Sequence, residues 1–474
     1  MDVYRSWIGG EWVDGDGTID VVSPYDGRVV GRVASATVEQ VDQAIAAAGE
    51  AFRSFGELPA FARAEILHKA SLMIRARGEE LARLLVEEAG KPIRDARVEV
   101  NRAAATFQIA AEEAKRIRGE IVPLDAVQGG EGRVAFTLRE PLGVIAAITP
   151  FNVPLNLVAH KVAPAIAAGN TVVLKPASKT PLVAFRLAEI LHEAGLPPGC
   201  LNVLCGPGGT LGSRLAADPR VSMVTFTGSP EVGKEIQKRA GFKRVALELG
   251  SNSAVVIEDV ADMEKVVARC VQGGYTFAGQ VCISVQRIYV NERLYDRFLE
   301  AYRRRVAALK IGPPGDEETE VSALISPQET ARVLAWVEEA KAGGAHVQVG
   351  GVQVGPVLAP TVLTEATDDM KVCAAEVFGP VTSVAPYTRF DEALERVNNS
   401  RYGLQAGVYT QDVAKAFRAI KALKVGGVII NDVPAFRVDH MPYGGVKESG
   451  MGREGVPYAI EEMTELKLAV FNLA

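Results

Sequence analysis

Short apolar runs that alternate with helix-like segments dominate the middle of this chain. From Leu142 onward, helical periodicity begins near Leu155, Pro181, Thr210 and Pro230. The apolar runs between these segments are Val144–Ile148, Thr171–Leu174, Leu201–Leu204, Met223–Phe226 and Val245–Leu249. Alternating strands and helices are typical of a parallel, doubly wound sheet with helices on both faces. We therefore predict an α/β domain here.

A second alternation of the same kind begins near Met263. Its predicted strands are Arg287–Val290, Val381–Pro386, Gly407–Tyr409 and Val428–Ile430, and its helices include Tyr295–Leu309 and Gln328–Ala342. A chain of 474 residues also exceeds the size of one ordinary core, which stops growing near about 250 to 300 residues. The sequence thus predicts two doubly wound α/β domains.

Two segments, one before the first α/β domain and one at the C-terminal tail, look like strands that have no partner nearby in sequence. After a hairpin-like start (Trp7–Val13), Thr37 opens a helix with Gln40 in capping-box position, and helical patterns continue to about Arg118. The segment Glu120–Leu138 and the tail Glu465–Leu473 look strand-like. Strands without local partners often pair across a subunit interface, so we expect a small β element for oligomerisation.

Composition and charge exclude several classes of protein. The net charge is −6 and no dense Lys/Arg stripe is present, which disfavours a nucleic-acid partner. Neither an export signal nor a membrane span is expected. The five cysteines form no C-x-x-C, so neither a disulfide framework nor a metal site is indicated. A cytoplasmic protein is expected.

Three residues at predicted strand ends and loops could carry chemistry. Cys282 follows Gly279 and Gln280 at the junction of the two α/β halves, although a free cysteine is more often a buried hydrophobe. Glu248 ends an apolar strand, where a buried carboxylate is costly unless functional, although a surface glutamate is the alternative. Asn152, between two prolines, could donate to an oxyanion or form an Asx-turn.

Glycine-rich turns after two further strands favour a nucleotide. Lys175 ends one strand, and the turn Thr227–Gly233 leads into a helix whose free N–H groups attract phosphate. The turn Gly206–Gly209 misses the G-x-G-x-x-G spacing. Each signal is weak alone, because glycine turns cap many helices.

Together with Glu376-Val377-Phe378-Gly379-Pro380, these motifs resemble the aldehyde dehydrogenase superfamily. The resemblance runs from about Trp7 to Lys467, and the pattern is closest to lactaldehyde, succinate-semialdehyde and non-phosphorylating glyceraldehyde-3-phosphate dehydrogenases. It implies that an aldehyde is oxidised to an acid through a thioester on Cys282. Glu248 falls on the family's general base and Asn152 on its oxyanion-stabilising amide.

The resemblance also implies a cofactor site and a division into domains. The expected cofactor contacts are Thr149, Lys175, Ser178, Gly208, Gly228, Ser229, Gly233, Leu249, Glu376 and Phe378. Residues 1–118 and 139–249, with part of 438–455, would bind the cofactor and residues 250–437 would form the catalytic domain. Residues 119–138 and 456–474 would be oligomerisation strands of a homodimer or, as we predict, a homotetramer.

Departures from the family pattern bear on cofactor and substrate. Ser178 replaces a glutamate of many NAD-using relatives, which removes the repulsion of a 2′-phosphate, so we expect NADP⁺ to be preferred over NAD⁺. Arg437 could grip an anionic substrate or be an ordinary surface or interface arginine. Val281, apolar where phosphate-handling relatives have arginine, favours a small hydroxyaldehyde or semialdehyde.

Two other functions remain open from the sequence. A CoA-acylating aldehyde dehydrogenase would release the thioester to a thiol and would not need Glu248 as a base. A non-enzymatic nucleotide-binding protein of the same fold would be expected to lack at least one catalytic group, yet Cys282, Glu248 and Asn152 are all present.

Overall fold

The computed structural model describes residues 3–473, and its first part is a small sheet followed by four helices. The elements are β1 (Val3–Tyr4), β2 (Ser6–Ile8), β3 (Glu11–Val13), β4 (Thr18–Val22), β5 (Val29–Ala34), α1 (Val38–Phe55), α2 (Ala60–Ala76), α3 (Gly78–Ala89) and α4 (Ile93–Glu113). The predicted hairpin is present, since β2 and β3 pair antiparallel. The capping box is confirmed: Thr37 accepts from the Gln40 backbone N–H, and the Gln40 side chain accepts from the N–H of Thr37.

The first parallel sheet follows two strands that belong to another sheet. In chain order these are β6 (Ile121–Val122), β7 (Arg133–Pro141), β8 (Val144–Ile148), α5 (Asn156–Ala168), β9 (Thr171–Lys175), α6 (Leu182–Glu193), β10 (Leu201–Val203), α7 (Gly208–Ala217), β11 (Val221–Thr227), α8 (Pro230–Ala240) and β12 (Arg244–Glu248). Strands β8 to β12 are parallel in the order β12-β11-β8-β9-β10, with β2 and β3 added at one edge. Every residue of β8 and β9 is buried, which explains their unbroken apolar runs.

A second parallel sheet is built from the next part of the chain. Its elements are β13 (Ala254–Ile257), α9 (Met263–Tyr275), β14 (Arg287–Asn291), α10 (Glu292–Ala307), α11 (Pro327–Ala342), β15 (His346–Val349), β16 (Gln353–Val354), β17 (Val357–Leu358), β18 (Thr361–Thr364), α12 (Lys371–Ala374), β19 (Val381–Tyr387), α13 (Phe390–Asn398), β20 (Gln405–Tyr409), α14 (Val413–Ala422) and β21 (Gly427–Ile430). The order is β15-β18-β19-β14-β13-β20-β21, parallel except for β15. The prediction of two doubly wound sheets is confirmed.

The C-terminal segment returns to the first sheet and then forms a third one. It consists of β22 (Gly450–Met451), α15 (Val456–Glu462) and β23 (Thr464–Asn472). Strand β22 pairs with β12, and β23 pairs with β7, which pairs with β6. The sequence-based assignment of 456–474 to strand was wrong at its start, because Val456 and Ile460 pack as a helix in the first hydrophobic core. Met1, Asp2 and Ala474 of the predicted ranges lie outside the described residues, and the domain boundaries stay a prediction.

A strained turn lies just before Cys282. Phe277, Ala278 and Gly279 have φ of 48°, 52° and 71°, so three consecutive residues occupy the left-handed region. A Cβ at Gly279 would lie 2.2 Å from the carbonyl oxygen of Gly379, so only glycine fits there.

Candidate active site

Cys282 is partly exposed and contacts one tyrosine. Its Sγ lies 2.8 Å from the Tyr443 hydroxyl oxygen. Cys200, Cys205, Cys270 and Cys373 are all buried. Burial raises the pKa of the Cys282 thiol to about 11, against the lowering effects of the Tyr443 hydrogen bond and the Arg437 charge. Cys282 is therefore the one cysteine among the described residues that is not fully buried.

Asn152 joins the first sheet to the cysteine loop. It follows β8, and its Nδ2 donates to the carbonyl oxygen of Gln280 at 2.8 Å. The Gln280 side chain fixes the same loop, since it donates to Phe277 and accepts from the Ile325 backbone N–H. An amide nitrogen has two N–H donors, and the contact with Gln280 uses one of them. The other is available for a group near Cys282.

Glu248 is a buried carboxyl group without a full set of partners. It ends β12, and its Oε2 has no hydrogen-bond partner among residues 3–473. A Cβ built on Gly444 would lie 2.9 Å from Oε1, so a side chain larger than glycine would press on this carboxyl group. Burial and then the charge of Glu454 raise the pKa of Glu248 well above its usual value. A carboxylate whose pKa is raised in this way is a better proton acceptor than an ordinary glutamate.

A buried cluster of charges lies behind Cys282 and Glu248. The Arg437 Nη2 donates to Glu454 Oε2 at 2.9 Å, and the Lys161 Nζ donates to Glu454 Oε1 at 2.8 Å. Although burial alone would raise it, Lys161 and Arg437 hold the pKa of Glu454 well below its usual range. The Arg437 guanidinium carbon lies 3.6 Å from the centre of the Tyr443 ring. The cluster thus reaches Cys282 through Tyr443.

Sequence reasoning missed three members of this arrangement: Tyr443, Lys161 and Glu454. One signal was available, because Lys161 stands in α5, a helix whose every residue is buried. A lysine is almost never fully buried unless it is paired. Arg437 was expected to grip an anionic substrate or to be an ordinary surface or interface arginine. Its side chain is only 7% exposed and is paired with Glu454, and its Nε lacks a partner among the described residues.

The glycine turn after β11 has the shape expected for a phosphate-binding turn. A Cβ at Gly228 would meet the ring of Phe226 at 2.3 Å, and a Cβ at Gly233 would meet the Leu249 side chain at 2.7 Å. Ser229 caps α8 by accepting from the backbone N–H of Val232. Pro230, the first residue of α8, has no N–H, and the Val232 N–H already donates to Ser229, so the N–H of Glu231 is the one in the first turn left to face an anion.

Lys175, Ser178 and Gly208 lie together at or just after the ends of β9 and β10. With the glycine turn after β11 they outline the cleft in which the cofactor is expected. The Lys175 Nζ donates to the Pro176 carbonyl at 3.1 Å, and burial lowers the pKa of this lysine. It lies 3.9 Å from the position of a Cβ on Gly208. The Ser178 hydroxyl donates to the carbonyl of Gly206 at 2.9 Å. No side chain on Gly208 separates the lysine from a ligand that enters here.

Glu376 and Phe378 follow α12 and contact residues just after β12 and β8. Glu376 Oε1 accepts from the Ser251 backbone N–H at 2.9 Å, and burial raises the pKa of Glu376 to about 7. Phe378 has φ of 50° and its ring meets the Phe151 ring edge-on at 5.8 Å.

The buried polar atoms of this cleft fit a dinucleotide cofactor. The hydroxyls of Thr149 and Thr227 are buried and have no hydrogen-bond partner among residues 3–473. Buried polar groups normally have partners, so these two point to a polar ligand.

Among residues 3–473 no helix is long and apolar enough to cross a membrane, and no group of His, Cys, Asp or Glu side chains is arranged to hold a metal ion.

Comparison with known proteins identifies the family. A model of the aldehyde dehydrogenase family matches residues 12–469. A 3-sulfolactaldehyde dehydrogenase of Priestia aryabhattai is 48% identical over 470 residues, which cover 99% of this chain and 98% of that protein. The crystal structure of aldehyde dehydrogenase 21 from Physcomitrella patens, in complex with the reaction product succinate, superposes with a TM-score of 0.97. The two sequences are 42% identical, and the superposition covers 100% of this chain and 98% of the chain from Physcomitrella patens.

A third relative carries a cofactor. The crystal structure of glyceraldehyde-3-phosphate dehydrogenase GapN from Methanocaldococcus jannaschii, complexed with NADP, superposes with a TM-score of 0.92. The two sequences are 40% identical, and the superposition covers 96% of this chain and 99% of the GapN chain. The family model and all three relatives span nearly the whole chain. This chain belongs to the aldehyde dehydrogenase family and is an oxidoreductase that uses NAD⁺ or NADP⁺.

Proposed function

We propose that this enzyme oxidises a small hydroxyaldehyde or semialdehyde to its carboxylic acid through a thioester on Cys282. The observation that carries this proposal is that a partly exposed cysteine, Cys282, lies close enough to the buried and incompletely partnered Glu248 for the carboxylate charge to act on the thiol. Asn152 and Glu248 end strands of the first sheet, whereas Cys282 comes from the second half of the chain. The reacting carbon would therefore lie between the two sheets.

Each of the three residues has one task in the reaction. The Cys282 sulfur bonds to the aldehyde carbon, and the resulting alkoxide accepts hydrogen bonds from the free Asn152 amide N–H and the Cys282 backbone N–H. The thioester forms when the C–H bond of this carbon breaks and its hydrogen leaves as hydride; the oxidised nicotinamide, when bound, would be the two-electron acceptor. Glu248 then takes a proton from water as the water adds to the thioester carbonyl. The carbon–sulfur bond breaks, and the thiolate is restored as the acid leaves.

Glu248→Gln should separate the two halves of this reaction. Without a base, thioester hydrolysis should slow by at least about a hundredfold, while one equivalent of reduced nicotinamide should still form in a burst. Stopped-flow absorbance of the reduced nicotinamide measures both phases. In the parent enzyme the hydrolytic rate should fall as the pH falls through the raised pKa of Glu248.

Cys282→Ser is the control, because it should show neither burst nor turnover. A Glu248→Gln enzyme with full steady-state turnover would contradict the assignment of the base. Release of the acyl group only when CoA is added would support the CoA-acylating alternative instead.

We also propose NADP⁺ as the preferred cofactor. Lys175 and Ser178 would hold the adenosine ribose and its 2′-phosphate, and the α8 N-terminus with Gly228 and Ser229 would hold the pyrophosphate. Support comes from the buried Lys175 and from the NADP named for GapN of Methanocaldococcus jannaschii. Gly208, Gly233 and Leu249 would shape the cleft, and Thr149, Glu376 and Phe378 would hold the nicotinamide half.

Ser178→Glu should lower kcat/KM for NADP⁺ relative to NAD⁺ by about tenfold or more, because a carboxylate there would repel the 2′-phosphate. Steady-state kinetics with both cofactors measures the ratio. Ser178→Gln introduces a side chain of nearly the same size as glutamate but without its charge. It should therefore change the ratio of the kcat/KM values for NADP⁺ and NAD⁺ much less. A parent enzyme that strongly prefers NAD⁺ would contradict the proposal.

The substrate proposal rests on a cavity beside the nucleophile. A cavity of about 240 Å³ reaches Val281 and Ile283, the neighbours of Cys282. Its lining holds three cations, Lys91, Arg102 and Arg269, and two carboxyl groups, Asp95 and Glu99, of which Glu99 is paired with Lys91. Arg102 donates to Asp439 at 2.7 Å and its side chain is one-third exposed, so donors remain for a ligand. The relatives named for 3-sulfolactaldehyde and for succinate handle small anionic molecules. We propose a small aldehyde with a carboxylate or sulfonate group.

Arg102→Gln should lower kcat/KM for succinate semialdehyde by roughly ten- to a hundredfold, since hydrogen bonds to charged groups contribute about 1.5–3 kcal/mol. It should leave a neutral aldehyde such as propanal nearly unaffected. Arg305→Gln is the matched control, because Arg305 lines the adjoining cavity but not the one that reaches Val281 and Ile283.

The same pair of substrates tests the sequence-based prediction for Arg437. If Arg437→Gln changes KM equally for anionic and neutral aldehydes, this arginine does not bind the substrate anion. Equal effects of Arg102→Gln on both substrates would contradict the anionic class itself.

We propose that the protein is a homo-oligomer, a homodimer or homotetramer, in the cytoplasm. Strand β23 is the open edge of the three-stranded sheet, and large apolar side chains on it are about half exposed. These are Leu466, Leu468, Val470 and Phe471. Exposed apolar strands at an edge favour pairing with another chain, and a second copy supplies the same surface.

Val470→Asp should shift the molar mass in solution toward that of a smaller assembly, measured by light scattering after gel filtration. Val354→Asp is a matched control, because Val354 is also a half-exposed strand valine but lies in the hairpin of β16 and β17. A parent protein with the mass of a monomer would contradict self-association.

A further inference from the structure

The Tyr443 hydroxyl has a position that the reaction steps above do not use. The residue is buried, and the hydrogen-bond partner of its phenol is Cys282 Sγ at 2.8 Å. The apolar side chains of Ile283 and Leu404 pack around the same pair. Apolar side chains therefore surround this hydrogen bond.

The backbone around Tyr443 is fixed by Glu454. The Tyr443 N–H donates to the Glu454 carbonyl at 3.0 Å, and the Glu454 N–H donates to the Tyr443 carbonyl at 2.7 Å. The Glu454 side chain in turn binds Arg437, whose guanidinium covers the Tyr443 ring at 3.6 Å. The ring is therefore held from its backbone and from one face, so the phenol cannot easily rotate away from the sulfur.

We propose that Tyr443 is a positioning residue for Cys282: its phenol O–H donates to the sulfur, stabilises the thiolate and fixes the side chain, and Arg437 holds the ring in place. The inference rests on the proposed role of Cys282 as nucleophile. A thiolate is a better acceptor than a thiol, so the hydrogen bond favours the reactive form. Arg437 adds a positive charge on the same side.

The other charges around the sulfur act in both directions. Glu248 and Glu376 disfavour the thiolate, and Arg437 favours it. Glu454 forms buried ion pairs with both Lys161 and Arg437. The Tyr443 hydrogen bond is thus the closest favourable interaction with the sulfur, and its removal should raise the pKa of the thiol.

The test is the rate of alkylation of Cys282 by iodoacetamide as a function of pH, in protein without aldehyde or added cofactor. Tyr443→Phe should move the midpoint of the profile upward by about one pH unit and slow alkylation below the midpoint about tenfold. Cys282→Ser measures labelling of the other four cysteines, which is subtracted. Thermal unfolding confirms that each variant is folded.

Two further variants make the result specific. Tyr302→Phe is the matched control, because it removes a buried phenol that donates to Thr382 and should leave the midpoint unchanged. Arg437→Lys keeps the charge but loses the planar group over the ring, and should give a smaller upward shift. A midpoint that stays at the parent value in Tyr443→Phe overturns the proposal, whatever Arg437→Lys shows.

The outcome is independent of the substrate. If the midpoint shifts but no aldehyde is oxidised, the positioning role stands and the proposed function fails. If the enzyme oxidises aldehydes but the midpoint does not move, only the role of Tyr443 fails.

Discussion

The ion pair between Arg437 and Glu454 is the interaction on which the arrangement of the active site depends. Both side chains are buried, and Glu454 also binds Lys161 from α5 of the first sheet's layer. A buried charge that loses its partner costs several kcal/mol, about 3 to 5 in measured cases. The loop that carries Arg437 and Tyr443 is therefore locked to the first half of the chain. That lock places the Tyr443 hydroxyl against a cysteine from the second half.

Most strands could be predicted because they are buried on both faces. Val144–Ile148 was predicted with the bounds that the structure gives to β8, and Val245–Leu249 differs from β12 by one residue at each end. Continuous apolar runs are the sequence pattern of central parallel strands. The prediction failed for β13, which has only four residues and begins shortly after β12. It also failed for β18, where threonines at both ends interrupt the apolar pattern.

The site could be predicted only where its residues stand in local motifs. Cys282, Glu248 and Asn152 each follow or end a recognisable element, and the family resemblance assigned their roles. Tyr443 lies 161 residues from Cys282 in sequence, and Lys161 lies 293 residues from Glu454. No periodicity or spacing connects residues so far apart. Their contacts depend on how two sheets and a returning C-terminal loop meet, which only the folded chain shows.

The same cluster explains why two buried carboxyl groups so close to each other behave differently. Glu454 forms ion pairs with Lys161 and with Arg437, and these two positive charges hold its pKa low. Glu248 lacks a partner for Oε2 among the described residues and feels the negative charge of Glu454, so its pKa is raised. Two carboxyl groups pushed apart in this way acquire separate roles, one as a permanent charge and one as a group that titrates. Glu454 therefore stabilises the site as an ion, and Glu248 is left as the group that can accept a proton from water.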